Sequence, residues 1–385
     1  MQLNLNSGIL LIGIVQGLLL MVSLNLHQNG PVTANRYLSA MLAAFVVALT
    51  THFLTITNLW QTWVHVYLLA STSVFLFGPF LYFYVQQLTQ PEDQFSFKKL
   101  WHFLPFLLNL MLFVPMLSLP SEELIAGIMA GQDSDRTLSS LALPLIKIAV
   151  LIGYTLYSLR LWLLHNHRVK QQFSDLENKS LIWLRNLLVG FLVFESLFLL
   201  MTLFQSHAFA LPNEIDSVLS LILVALIFMT GFYGLHQPEI FRSAHTPRST
   251  THEPLLSTTD DDEKASVSAS SNLNEALKGE IAERLNHAMR SEKIYLERFL
   301  DLRGLAAKCA VSPHQLSEYL NDTLKVNFYD YVNQHRVEAA QEKLISSKDS
   351  ILDIALTVGF NNKATFNKAF KKHTGTTPSL YRKGQ

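Results

Sequence analysis

The sequence predicts an all-α protein: a polytopic transmembrane helical bundle of seven spans, then a cytoplasmic all-helical domain with two helix–turn–helix motifs. Three observations carry that expectation. Charged residues make up 16% of the 385 and apolar residues 49%, where a soluble domain averages about a quarter charged. The first 240 residues hold 22 of those 60 charges and the remaining 145 hold 38. Seven apolar runs of spanning length fill the first part, whereas helix caps and glycine stops punctuate the last. The expected division is a seven-span domain at 1–240, a flexible linker at 241–272 and a soluble domain at 273–385.

The runs lie at residues 6–26, 37–57, 63–88, 100–119, 141–164, 182–204 and 215–235. Nothing before the first is positively charged, so it reads as an uncleaved span and not a signal peptide. With the N-terminus outside, the inner loops hold Arg36, Lys98, Lys99, Arg168, Lys170 and Lys179, with Arg185 nearby and Arg242 and Arg248 after the last run. The outer loops hold Arg136 beside Glu122, Glu123, Asp133 and Asp135. The positive-inside rule therefore predicts a multi-pass protein of the inner (cytoplasmic) membrane, its N-terminus outside and its C-terminal domain in the cytoplasm. An odd number of spans agrees. Trp60, Trp63, Trp101, Trp162 and Trp183 sit near run ends, as interfacial anchors do.

Gly78-Pro79, Pro105, Pro115 and Pro144 interrupt runs or their ends. They read as kinks tolerated by neighbouring helices, or as the walls of a sensing cavity. Few ionisable residues lie inside the runs; among them are Glu195 near the middle of the sixth and Lys147 in the outer part of the fifth. A charge at a helix centre costs at least about 2.5 kcal/mol on insertion scales, so both need a reason. Antiparallel neighbours would bring them within a turn or two in depth, which leaves three readings open. They are an intramembrane ion pair, a ligand or proton site, and a lysine that snorkels outward. His52, His102 and Asn109 are candidates to line a polar interior. The spans hold no H-E-x-x-H, G-x-S-x-G, Walker loop or paired-carboxylate pattern, so no enzyme, metal or cofactor is expected.

From about 241 the text turns Ser/Thr-rich with an acidic knot, the composition of a flexible coil. Leu273, Leu277, Ile281, Leu285 and Met289 then recur every fourth residue. That stripe suits either a packed first helix or a dimer seam. Leu302, Leu305 and Ala306 form a packing face, Cys309 follows in the last turn, and Val311 occupies a turn. Cys309 is expected to be a buried structural thiol. Ser312, Pro313 and Gln315 combine an N-cap, an N1 proline and a capping box. Residues 327–345 read as a long connecting helix with Phe328, Tyr331, Val332, Val337, Ala340 and Leu344 buried. At 1.5 Å per residue it is about 28 Å long, near the 34 Å or so that separates successive major grooves. Two readers at its ends can dock in adjacent grooves.

The second reader is written in residues 350–381. Ser350 and Asp353 make a helix start, and Ile351, Ile354, Ala355 and Val358 share one face. Gly359 supplies the tight turn and Phe360 the wedge between helices. The next helix begins near Asn362, carries Phe366 and Phe370 inward, and stops at Gly375 with Pro378 beyond. Its other face shows lysines and amides. No acidic residue occurs from Phe360 onward.

Residues 301–381 resemble the DNA-binding domain of the AraC/XylS family of bacterial transcription activators. The resemblance is carried by Ile354-Ala355, Val358-Gly359-Phe360, Phe366, Ala369-Phe370-Lys371-Lys372, Gly375 and Thr377 to Arg382. Where the family usually has glycine before the aromatic of the connecting helix, this chain has Val326-Asn327-Phe328, which puts the preceding turn in question. The resemblance implies recruitment of RNA polymerase and activation of transcription, with double-stranded DNA as partner. It also favours the packed-helix reading of the 273–289 stripe. Candidates for base edges are His314, Gln315 and Ser317 in the first reader and Lys363, Thr365, Asn367 and Lys368 in the second. Lys371, Lys372, Arg382 and Lys383 are candidates for phosphates. Further partners are the lipid bilayer, a second copy and an unknown signal molecule. The alternative is a receptor or transporter-like bundle whose basic tail binds lipid or protein instead of DNA.

Overall fold

Continuous apolar sequence with few internal breakers becomes long helix, and the capped, interrupted C-terminal sequence becomes short ones. The computed structural model describes residues 5–26, 32–90, 96–133, 138–176, 179–206, 214–235 and 274–384, all of them helical or connecting. The expected linker at 241–272, with Leu273, Asp135, Arg136, Arg242 and Arg248, lies outside these residues. The chain forms two compact units. Unit 1 comprises Met1–Leu164 and Leu181–His245, and unit 2 comprises His165–Ser180 and Thr246–Gln385.

Unit 1 is built from α1 (Leu5–Leu26), α2 (Val32–Ile56), α3 (Val64–Ala70), α4 (Val74–Thr89), α5 (Leu104–Leu117), α6 (Ser121–Asp133), α7 (Leu138–Gln172) as far as Leu164, α8 (Ile182–Ser206) and α9 (Glu214–Leu235). Among the described residues, six helical stretches are long and apolar enough to cross a membrane, and Val218–Gly234 of α9 is a shorter apolar helix. Helix α9 as a whole covers the seventh run expected at 215–235. Outward side chains such as Ile12, Leu19, Met111, Leu112 and Val193 are more than half exposed. Such an apolar coat is unfavourable in water and suited to hydrocarbon.

Close packing holds the helices together. A Cβ on Gly13 would fall 2.6 Å from Val224 of α9, and one on Gly17 would fall 2.5 Å from Val46 of α2. These two small residues, four apart on α1, let three helices approach closely. The third run departs from expectation: its break falls at a 3₁₀ turn over Ser71–Ser73, while α4 continues through Pro79 and α7 through Pro144. Trp162 is buried, and its indole donates to the Leu181 carbonyl at 3.0 Å.

Unit 2 contains α10 (Glu275–Asn286), α11 (Leu302–Lys308), α12 (Pro313–Glu318), α13 (Phe328–Ser346), α14 (Ile351–Thr357), α15 (Lys363–Thr374) and α16 (Pro378–Lys383). Side-chain caps start six of them. Asp301, Ser312, Asn327, Ser350, Asn362 and Thr377 each accept from the backbone N–H three residues on, an arrangement worth about 1 kcal/mol apiece. The turn before α13 is made without glycine: Lys325 takes the left-handed conformation at φ 57°, and Asn327 caps the helix.

The apolar stripe is buried, with Ile281 and Leu285 of α10 and Met289 in the turn after it packed under α11, α12 and the first half of α13. This settles its use as a packed helix within the unit. A second cluster gathers Val337, Ala340 and Leu344 of α13 with Ile354, Ala355, Val358, Phe360, Phe366 and Phe370. Each helix–turn–helix thus has its own core, and α13 is the spine that enters both.

Candidate nucleic-acid interface

Two turns shape the readers. In the second, Gly359 has φ 98° and joins α14 to α15. In the first, Ala310 takes the left-handed conformation at φ 49° between α11 and α12, one residue before Val311 in the same turn. Phe360, Phe366, Phe370 and Tyr381 form a chain of ring contacts with centroids 5.3–5.5 Å apart. This anchors the inner face of α15 and fixes what its outer face presents.

Lys363, Ala364, Lys368 and Lys371 are exposed on α15, with Thr365 and Asn367 half-buried beside them. Ala364 was missed by the sequence reading. An exposed small apolar side chain among amides and lysines is the kind that meets a thymine methyl. Lys383 is also exposed. The other two phosphate candidates also make contacts inside the unit. Lys372 donates to Asp330 at 2.6 Å, and Arg382 donates to the Asp349 carbonyl at 2.8 Å.

The first reader is smaller and less basic. His314 stands exposed on α12, with its ring 3.8 Å from Glu318. Gln315 accepts from the Ser312 N–H at 3.0 Å while its own N–H donates to the Ser312 hydroxyl at 3.2 Å. The capping box thus holds a side chain expected at a base edge. Ser317 accepts from Asn321 at 3.2 Å. Cys309 is buried behind this reader, where burial and Glu292 raise its pKa against the pull of Arg284. It stays a protonated thiol.

Behind both readers lies a polar hub that sequence reasoning did not find. Arg336 of α13 is 1% exposed. Its guanidinium donates to the carbonyls of Tyr295 and Glu297, each at 2.7 Å, and to Asn333 at 3.3 Å. Burial lowers its pKa to about 10, against the opposing influence of Asp175 and Tyr329, so it is charged at neutral pH. An arginine in a helix otherwise read for its apolar stripe was the available signal.

In unit 1 the structure does not join the expected pair. The Lys147 ammonium lies 5.7 Å from the Phe75 ring centroid, and Glu195 accepts from Thr155 at 2.7 Å. Phe75 and Thr155 supply near neighbours that the depth argument ignored. Glu195 is 4% exposed, its second carboxylate oxygen has no hydrogen-bond partner, and it borders a small cavity lined by Phe45, Phe77, Phe191 and Phe194. His102 meets the Tyr154 hydroxyl at 2.9 Å, and both polar atoms of buried Asn109 lack partners. Among the described residues, no cluster of three or more His, Cys, Asp or Glu is placed to hold a metal.

Helices α11 to α16 define a helix–turn–helix domain, and residues 305–384 match the family model described as Helix-turn-helix domain. Over this part the chain is similar to the bifunctional transcriptional activator/DNA repair enzyme AdaA of Bacillus subtilis (strain 168). The identity is 36% over 91 residues, 24% of this chain and 43% of that protein. It is also similar to the probable transcription factor PqrA of Proteus vulgaris, 38% identical over 78 residues, 20% of this chain and 64% of that one. The chain thus spans between 43% and 64% of these relatives' lengths. Among solved structures, the C-terminal domain of AraT, a response regulator from Geobacillus stearothermophilus, is 29% identical. That match covers 30% of this chain and 89% of that one, with a TM-score of 0.24.

Proposed function

We propose that this chain is a membrane-embedded, sequence-specific DNA-binding transcription regulator that acts as an activator and has no enzyme activity. Residues 1–240 form a seven-span domain in the inner membrane with the N-terminus outside. A linker at 241–272 joins it to a cytoplasmic DNA-binding domain at 273–385 that recruits RNA polymerase. The observation that carries the reading is the pair of helix–turn–helix motifs on one 19-residue spine, the second presenting a lysine face free of acidic residues. Base-edge contact is assigned to His314, Lys363, Ala364, Thr365, Asn367 and Lys368, and phosphate contact to Lys371 and Lys383.

Footprinting with the full chain in lipid nanodiscs tests this. The expected result is protection on one face of the duplex across two successive turns. Lys371→Ala should lower the slope of log affinity against log salt by about 1 without altering the preferred sequence. Binding to anionic vesicles, with no preferred DNA site, would instead favour a lipid-binding tail.

The bundle is the signal input in this reading, and Glu195 is its site. A buried carboxylate with one free oxygen among four phenylalanine rings suits a small ligand group that donates a hydrogen bond or carries positive charge. Glu195→Gln is expected to abolish signal-dependent reporter transcription while leaving DNA protection intact. Loss of protection together with the response would count against a sensing role.

A further inference from the structure

The DNA-reading unit is assembled from two parts of the chain that are far apart in sequence. Residues 165–180, the last turns of α7 and most of the connection that follows to α8, belong to unit 2. Three consecutive residues of that connection touch three different parts of the unit. Phe173 forms an isolated antiparallel bridge with Asp301, the N-cap of α11. The Ser174 hydroxyl donates to the Leu300 carbonyl at 2.5 Å, and its backbone N–H donates to the same carbonyl at 3.3 Å. Ser174 also faces the spine: its carbonyl accepts from Asn333 at 3.3 Å and its hydroxyl from Arg336 at 3.4 Å. Asp175 accepts from the Asn361 amide at 2.5 Å, one residue before the N-cap of α15.

These contacts are built into the interior. Ser174, Asn333 and Arg336 are each 1% exposed or less. Flanking groups contact each other as well: the Lys179 ammonium lies 3.6 Å from the Phe173 ring centroid, and the Lys179 carbonyl meets His165 of α7 at 3.0 Å. Removing the connection would leave the buried Asn333 amide without this acceptor, and such a group costs more unpaired than its bond contributes when made.

We propose that residues 173–175 are a splint that sets the two readers relative to each other, and that the α7–α8 pair governs DNA occupancy through it. The start of the first reader, the spine and the turn of the second reader are all held by one tripeptide. Reading two grooves at once requires both readers to keep their spacing and facing. The docked splint is the DNA-competent form. Chain continuity ties the splint to α7 on one side and α8 on the other, so a rearrangement of those helices acts on both readers without release of the domain. This rests on the transcription-regulator reading above.

The test uses the full chain in nanodiscs with Cys309→Ala, Asp175→Cys and Asn361→Cys, joined by a short, reductively cleavable bis-thiol cross-linker. The DNA is the duplex that wild type protects. The cross-linked form should bind about as tightly as wild type. Cleavage should weaken binding about tenfold and shrink the footprint from two turns to one. Asp175→Ala should behave like the cleaved form, and Asp175→Asn, which keeps an acceptor for Asn361, should recover most of the affinity. Hydrogen exchange provides a readout independent of DNA: backbone amides of 302–305 and of 359–365 should both exchange faster in Asp175→Ala. Unchanged exchange at either reader overturns the splint, even if wild type protects no DNA and the regulator reading itself fails. Faster exchange with an undiminished two-turn footprint overturns its role in groove spacing.

Discussion

Arg336→Met should cost unit 2 about 2–5 kcal/mol, because the substitution leaves buried carbonyl acceptors facing an apolar side chain. The carbonyls of Tyr295 and Glu297 lose their 2.7 Å donors, and Asn333 and Ser174 lose a partner. Methionine fills part of the volume, so the loss is chiefly one of hydrogen bonding and not of packing. Arg336→Lys restores charge but supplies a compact ammonium where the site uses a planar fork, so it should recover only part of the stability. For a unit of this size, the melting transition should fall by more than about 10 °C. Differential scanning calorimetry of the full chain in detergent would show it. A transition lowered by less than a few degrees would mean that the carbonyls find other donors.

Gly359→Ala should be nearly as damaging, by about 3 kcal/mol, summed from left-handed backbone strain and overpacking. A Cβ there would fall 2.7 Å from the Tyr295 carbonyl oxygen, 3.0 Å from the Leu296 carbonyl oxygen and 3.0 Å from the Arg336 Nε. Two of the three obstacles are backbone and cannot swing aside. The variant should also displace Arg336, so its cost should not add to that of Arg336→Met, and a double-mutant cycle would expose the coupling. Gly375→Ala is the control. Its φ is 76° but nothing lies within 4 Å of the added carbon, so only the strain of about 1–2 kcal/mol applies.

Both helix–turn–helix motifs were legible because their signals are local. Ser312, Ser350 and Gly375 announce helix ends within four residues, and the burial of Val337, Ala340 and Leu344 follows from spacing alone. The splint was not legible, because Ser174 meets Leu300, Asn333 and Arg336 across 126 to 162 residues, and short polar residues carry no periodicity. Residue type makes Gln315 and Lys372 candidates for DNA, but it does not reveal that one also closes a capping box and the other also reaches Asp330 forty-two residues away. Lys147 and Glu195 were matched on depth alone, and rotation about the helix axes, which the sequence leaves open, turned them to different neighbours. Gly13 and Gly17 were in plain view as a small-residue pair. Their meaning appeared only once α2 and α9 were seen against them.

The spine's length sets a phase as well as a distance. Inserting one residue near the middle of α13 would turn one end against the other by about 100° and lengthen it by only 1.5 Å. The second reader would then point away from the duplex while remaining close to it. A seven-residue insertion nearly restores the angle but adds about 10 Å, or roughly three base pairs of rise. Three base pairs are also about 100° of duplex twist, so even that insertion would carry the second reader off the groove face, and functional homologues should hold the spine at one length.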